Sequence, residues 1–270
     1  MMHALIDADI TLFEASSIGT DKETGTHHSF DYVEAVFLNK IQEILTAVEA
    51  TDYTLFLTGK NNFRKEIATV KPYKGTRVNE KPFHYNNLKA YILSLPQGEI
   101  AEGMEADDAL AIAQTEALAN GKQTIICTRD KDLRQVEGLH YGWEMGAQPE
   151  FSPQYIDCLG TIELITRLKE DGRVKDRKIK GTGSKFFYSQ VVTGDTVDNI
   201  PGLPGAGAVK AYDATVDATT DLEMYNNVLE LYTAKYEEEA EERLTEQAYL
   251  LWMVRELDED GFPVMWVKPT

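Results

Sequence analysis

Three short apolar runs most constrain what this chain can fold into. HALID at 3–7, YTLFLTG at 53–59 and QTIICT at 123–128 have the length and composition of buried strands. Between them lie helical patterns. One runs through Val33, Val36, Phe37, Ile41, Ile44, Leu45 and Val48, a second through KPFHYNNLKAYILSL, and a third, ADDALAIAQTEALANG, stops at Gly121. Strands that alternate with helices imply a parallel sheet with helices on both faces. After about residue 160 the strand signals stop, and helices joined by glycine-rich turns take over. The closing GFPVMWVKP reads as a strand or a packed tail.

Acids fall where such a sheet would build a site. Asp7 closes the first strand, Glu105, Asp107 and Asp108 open the helix of EGMEADDALA, and Asp130 and Asp132 follow the third strand. Sites in open parallel sheets form at the carboxyl ends of the strands. Each acid alone has an ordinary reading, Asp107 as a first-turn helix acid and Asp132 as a turn or cap residue. Acids meeting at one rim raise one another's pKa and persist where cations neutralise them. All-oxygen ligation without His or Cys fits Mg²⁺ or Mn²⁺ rather than zinc.

A second signal is VVTGDTVDNIPGLPGAGAVKAY, residues 191–212. Glycines let backbone amides approach a phosphate, and the helix that follows favours negative charge at its N-terminus. A helix–hairpin–helix of this kind, spanning about 191–215, holds a nucleic-acid backbone without reading sequence, through Gly202, Gly205, Gly207 and Lys210. Asp195 and Asp198, just before it, would then bring acid to the bound strand. The ordinary reading is a glycine-rich turn.

A net charge of −18 argues against nucleic acid until its distribution is considered. Residues 60–81 hold seven Lys or Arg against two acids, and residues 167–185 hold eight against three, which together account for fifteen of the 27 basic residues. Either segment could also be a solvated loop. The acidic run YEEEAEERLTE reads as a solvated helix face. No apolar run reaches membrane-spanning length, the start of the chain is too short and acidic for a secretory signal, and the 2 cysteines do not form a disulfide framework. A cytoplasmic protein with no membrane partner is the expectation.

LIDAD, FRKEIATVKPYKGTR, EGMEADDAL, CTRDKDLRQV and GDTVDNIPGLPGAGAVKA together resemble, in order, the 5′-nuclease superfamily. That superfamily includes flap endonucleases, the 5′-nuclease domain of DNA polymerase I and bacteriophage 5′→3′ exonucleases. GTGSKFFYSQVVTGDTVDNIPG and the chain length look most like the bacteriophage enzymes. The resemblance covers roughly residues 3–215. It implies a PIN-like α/β nuclease domain over 1–160 with a basic arch at about 60–90, and a helical region over 161–270. It also implies, often, K⁺ in the hairpin; a monomer is a separate expectation. Asp7, Glu105, Asp107 and Asp108 match acids around a first metal, and Asp130, Asp132, Asp195 and Asp198 those around a second. Lys74 and Arg77 match a basic pair at the scissile phosphate, with Arg64 beside them, and Tyr73 matches an aromatic that stacks on a base.

The chain departs from the pattern at one place. The family carries another aspartate at the end of the second strand, where Thr58 and Gly59 stand here. Asp9 is an additional acid near the first strand end, read as a turn cap, with replacement of the missing aspartate as the alternative. The function expected is two-metal 5′→3′ exonuclease or flap endonuclease cleavage of DNA with a 5′ end, nick or flap, or of an RNA–DNA hybrid. A DNA-junction-binding protein with weak or no activity is the rival, and a PIN-type ribonuclease, a class that generally lacks the hairpin, is a weaker third.

Overall fold

The computed structural model describes residues 1–21, 23–76 and 80–270. Its elements run β1 (His3–Asp7), α1 (Ala8–Ile18), α2 (Phe30–Ala47), β2 (Asp52–Thr58), α3 (Arg64–Ile67), α4 (Tyr85–Ser94), β3 (Gly98–Ala101), α5 (Ala106–Ala119) and β4 (Thr124–Cys127). They continue with β5 (Gly138–Gly142), β6 (Phe151–Ile156), β7 (Ile162–Leu168), β8 (Val174–Gly181), α6 (Gly183–Thr193), α7 (Ala208–Thr215), α8 (Asp221–Tyr236) and α9 (Ala240–Leu251).

Six strands form one sheet in the order β3-β2-β1-β4-β5-β6. β3 to β5 are parallel, and β6 joins the edge antiparallel. This is the expected α/β class. Alternation along the central strands sorts their side chains to two faces. Ala4 and Ile6 of β1 join Leu55, Leu57, Ile125 and Cys127 under α1, α2 and α4, where Leu12, Phe37, Ile44, Leu88 and Ile92 are buried. Leu5, Phe56 and Ile126 point the other way, onto Leu110 and Ala111 of α5. Helices on both faces leave only the strand ends open, which fixes where a site can form.

β3, β5 and β6 are short strands that the three apolar runs did not announce. A larger difference lies beyond residue 160. Instead of helices alone, β7 and β8 pair antiparallel from Ile162↔Gly181 to Leu168↔Val174. Ile162, Leu164, Ile165, Val174 and Ile179 supply β-branched and apolar positions, but lysines and arginines placed between them hide the pattern from a hydrophobicity reading. Past the hairpin, α6 to α9 build a second core around Phe187, Tyr188, Val191, Leu203, Met224, Tyr232 and Leu244, with Trp266 of the C-terminal tail against it. That tail packs without forming a named strand. Among the described residues no helix is long and apolar enough to cross a membrane.

Candidate active site

The acids gather at the carboxyl rim of the sheet. Asp7 ends β1 and is 3% exposed. Its side chain caps α1 by accepting from the Ile10 amide at 3.4 Å, and it accepts the Thr128 hydroxyl at 2.7 Å. Burial, reinforced by Asp9, pushes its carboxyl up to about 7. Asp130 follows β4, and burial with Asp132 nearby pushes it also to about 7. Asp107, in the first turn of α5, is held well above the usual carboxylate range by burial and by Asp130 and Asp7. These three, with Asp9, Thr58, Gly59, Lys74 and Glu105, line one cleft of about 400 Å³.

Two lysines reach into the acids. Lys74 Nζ donates to Glu105 and lies 3.7 Å from Asp198. Tyr73 Oη lies 2.8 Å from Glu105 and 2.9 Å from Asp198, so its one hydroxyl proton is shared between the two carboxylates. The backbone follows the same route, with the Lys74 amide on the Asp198 carbonyl and the Asn199 side chain on the Pro72 carbonyl. The first residues of the basic segment are thus tied to the Asp195–Asp198 turn. Burial opposes a charged Glu105, but Lys74 and Arg64 hold its carboxyl below the ordinary value. Lys131 lies 2.9 Å from Asp132 and 2.8 Å from Asp195. Although burial works against it, Asp132 and Asp195 push its ammonium up. Asp132 also accepts from Gln190 at 2.7 Å, which ties it to α6.

Among the described residues no three acids close around a single point. A bare trio of carboxylates would be repulsive, and here the side chains turn to ammonium, hydroxyl and amide donors instead. The donor set nonetheless fits a hard divalent ion. Its ligating atoms are carboxylate oxygens, and two ammonium groups stand in for positive charge beside them.

Several residues do something other than the resemblance implied. Arg64 is fully buried and cannot meet a phosphate: it grips Asp108 with bonds of 2.5 and 2.7 Å and donates to the carbonyls of Leu250 and Trp252. Asp108, also fully buried, accepts in addition from the amides of Glu105 and Val254. Its oxygens are committed to these partners, through which it ties α5 to the C-terminal tail. Tyr73 is only 6% exposed, and its ring packs in the second core rather than against a base. Gly202 is buried at φ +61°, and a Cβ there would meet the Gly194 nitrogen at 2.3 Å, so its place is set by backbone packing and not by a phosphate. Gly205 and Gly207 do face open space at the start of α7, and Lys210 is exposed on that helix. Arg77 lies outside the described residues.

Asp9 is not a turn cap. It sits inside α1 and reaches across to accept the Thr58 amide at 3.0 Å, so its carboxylate stands at the end of β2 where the family's aspartate is missing. Thr58 Oγ1 in turn accepts the first amide of α5, from Ala106, at 3.0 Å. Sequence reasoning also passed over Thr128 and Lys131. The signal for Lys131 was its position between two aspartates in RDKD. For Thr128 only proximity to the strand end could have served.

The fold and rim define an α/β protein with an acidic cleft at the carboxyl ends of its strands and a glycine-rich helical module beside it. No family model matches the chain. DNA polymerase I of Pseudomonas aeruginosa is 32% identical over 132 residues, 48% of this chain and 12% of its own length. The flap endonuclease Xni of Shewanella sediminis is 28% identical over 127 residues, 47% of this chain and 42% of its own length. The chain therefore spans less than half the length of these curated relatives. A crystal structure of a bacteriophage T5 flap endonuclease, in a complex with DNA and metal ions, shares the fold with a TM-score of 0.51 at 12% identity, covering 93% of this chain and 99% of that one. In sequence, over about half its length, the chain is similar to DNA polymerase I and to the flap endonuclease Xni, and in fold it is similar to the T5 flap endonuclease.

Proposed function

We propose that this protein is a divalent-metal-dependent 5′-nuclease that hydrolyses DNA phosphodiesters at 5′ ends, nicks or flaps. The observation that supports it most is the convergence of Asp7, Asp107 and Asp130 with Glu105 in one cleft, beside a turn that brings Asp195 and Asp198 toward the same rim. Asp7, Glu105 and Asp107 would hold one ion, with Asp9 near it, and Asp130, Asp132, Asp195 and Asp198 the other. Bound Mg²⁺ or Mn²⁺ would activate water and stabilise the leaving 3′ oxygen. Lys74 releases Glu105 and Asp198 to that charge and turns its ammonium to the scissile phosphate, where it offsets developing negative charge. The Gly205–Gly207 turn, with free space beside both glycines, holds the strand by its phosphates at the start of α7. K⁺ at that turn, RNA–DNA hybrids as substrate and a monomeric state belong to the same reading. The related flap endonucleases, and the DNA and metal ions bound to the T5 protein, support it.

The test is cleavage of a 5′-flap and a nicked duplex with Mg²⁺ against EDTA. Two observations favour a second reading, a junction-binding protein without cleavage: the strand-end aspartate is absent and, among the described residues, no three acids are spaced to hold one ion as they stand. That reading predicts tight binding and intact substrate in both arms. Products bearing a 5′-phosphate only with Mg²⁺ support the nuclease.

A further inference from the structure

A second groove, of about 770 Å³, leaves the acids on the side of Asp132 and Asp195. Arg129, Lys131 and Arg134 line one side, and Lys180 of β8 lines the other. Glu150 and Glu163 line it too, and Asp130 and Asp198 join Asp132 and Asp195 at the end nearest the cleft. Arg129 is 7% exposed, and although one of its nitrogens donates to Gln148 at 2.8 Å, Nε and Nη1 have no partner. A buried guanidinium with two unmatched nitrogens is costly unless an acceptor arrives. Arg134 lies 4.0 Å over the ring of Phe151 on β6.

The groove continues onto the β7–β8 hairpin. Residues 162–181 hold seven Lys or Arg and four acids in a chain of net charge −18. Two of the four acids are matched, Asp176 by Arg167 and Asp171 by Arg173. Lys178 and Lys180 are both exposed, and strand alternation puts them on one face, the face that reaches the groove at Lys180. Their separation of roughly 7 Å is comparable with that of successive phosphates along one strand. Ile179, between them, lines the groove as well and packs against the second core.

We infer that this groove and hairpin form a second backbone-binding track, holding one DNA strand by its phosphates as it leaves the acids, with Arg129 and Arg134 near the reacting end and Lys178 and Lys180 beyond. Away from Asp130, Asp132, Asp195 and Asp198, which line the end shared with the acidic cleft, Arg129, Arg134 and Lys180 supply the charge that a phosphate needs. The inference builds on the nuclease reading by naming where the substrate runs, and it is tested without cleavage. Binding of a flap substrate is measured by fluorescence anisotropy in EDTA over a range of KCl for the full chain and for Lys178→Gln/Lys180→Gln. Both side chains are exposed, so the fold is expected to hold, and an unchanged melting temperature checks this. Loss of two phosphate contacts lowers the salt slope by about 1.4–1.8, and binding weakens most at low salt. The same double substitution is expected to raise KM while leaving single-turnover cleavage at saturating DNA unchanged. Lys169→Gln, near the hairpin's turn and off the groove, is expected to change the slope by less than half as much. An unchanged slope in the double variant overturns the track, as does an equal effect from Lys169→Gln, and either result would leave the groove to a protein partner. A wild-type protein that binds with the full slope but never cleaves in Mg²⁺ overturns the nuclease reading alone.

Discussion

Two residues at the site carry opposite lessons about reading function from a motif. Arg64 lies in a basic segment, yet its guanidinium is wholly inside the protein on Asp108. Arg64→Ala leaves that carboxylate buried and unpaired, which costs about 3–5 kcal/mol. Chemical denaturation is expected to show that loss, while turnover per folded molecule stays near wild type. A large fall in turnover with unchanged stability would return Arg64 to the chemistry. Asp9 is the converse case, an acid easily dismissed that stands at the vacant strand end. If it replaces the missing aspartate, Asp9→Ala raises the Mg²⁺ concentration needed for half-saturation by roughly tenfold, the scale for groups that hold or orient a metal ligand. Thr58→Asp in that background is expected to restore it, because the new carboxylate can still accept from Ala106. Gly59→Asp is a poorer rescue: its Cβ would lie 2.6 Å from the Ala101 carbonyl. Calorimetric Mg²⁺ titration of wild type, both single variants and the double variant checks this independently of turnover. A silent Asp9→Ala removes Asp9 from the metal site.

At the scale of elements, the sheet was legible because its central strands are apolar on both faces, and the helices around it because their apolar stripes face the sheet. The acids at β1, α5 and β4 were legible for the same reason, since strand ends can be located from the sequence. Burial was not. Arg64 and Asp108 look like any exposed ion pair until the C-terminal tail closes over them, a contact between residues more than a hundred positions apart. The β7–β8 hairpin was hidden by its own charge. The glycine turn was legible as a turn, but the separate duties of its glycines were not. Gly202 packs on Gly194, whereas Gly207 opens α7 with free space at its Cβ. Gly202→Ala is therefore expected to lower the melting temperature by several degrees and to impair metal and DNA binding together, because Asp195 and Asp198 ride on that turn. Gly207→Ala is expected to leave the melting temperature nearly unchanged and weaken DNA binding several-fold, since its methyl group stands where a phosphate would approach. Equal melting temperatures for the two variants would show that the packing distinction does not matter.

For the whole molecule, the acidic rim makes stability depend on pH and on divalent ions together. Asp7 and Asp130 sit near 7 in the folded chain against 3.8 in an ordinary carboxylate, burial being the larger cause in both. The folded protein therefore holds protons that the unfolded chain has released. Without metal, stability falls as pH rises from about 4 to about 7, and above that the full penalty of charged, crowded carboxylates remains. Lys74 and Lys131 relieve part of it on Glu105 and Asp195 but leave Asp7 and Asp130 without an ammonium partner among the described bonds. A bound divalent ion supplies the missing charge and displaces the protons. The melting temperature gained on adding Mg²⁺ is thus expected to be larger at pH 8 than at pH 6, where protons already neutralise the site. Proton release on Mg²⁺ binding, read by calorimetry in buffers of different ionisation heat, is expected to grow as the pH is lowered from 8 to 6. Asp130→Asn removes one of the two raised groups, so the metal-free variant is expected to melt higher than wild type at pH 8 and to gain less from Mg²⁺. A Mg²⁺ gain that stays constant from pH 6 to pH 8, with no proton release, would mean that these carboxylates do not meet the ion, and the assignment of the rim as a metal site would fail with it.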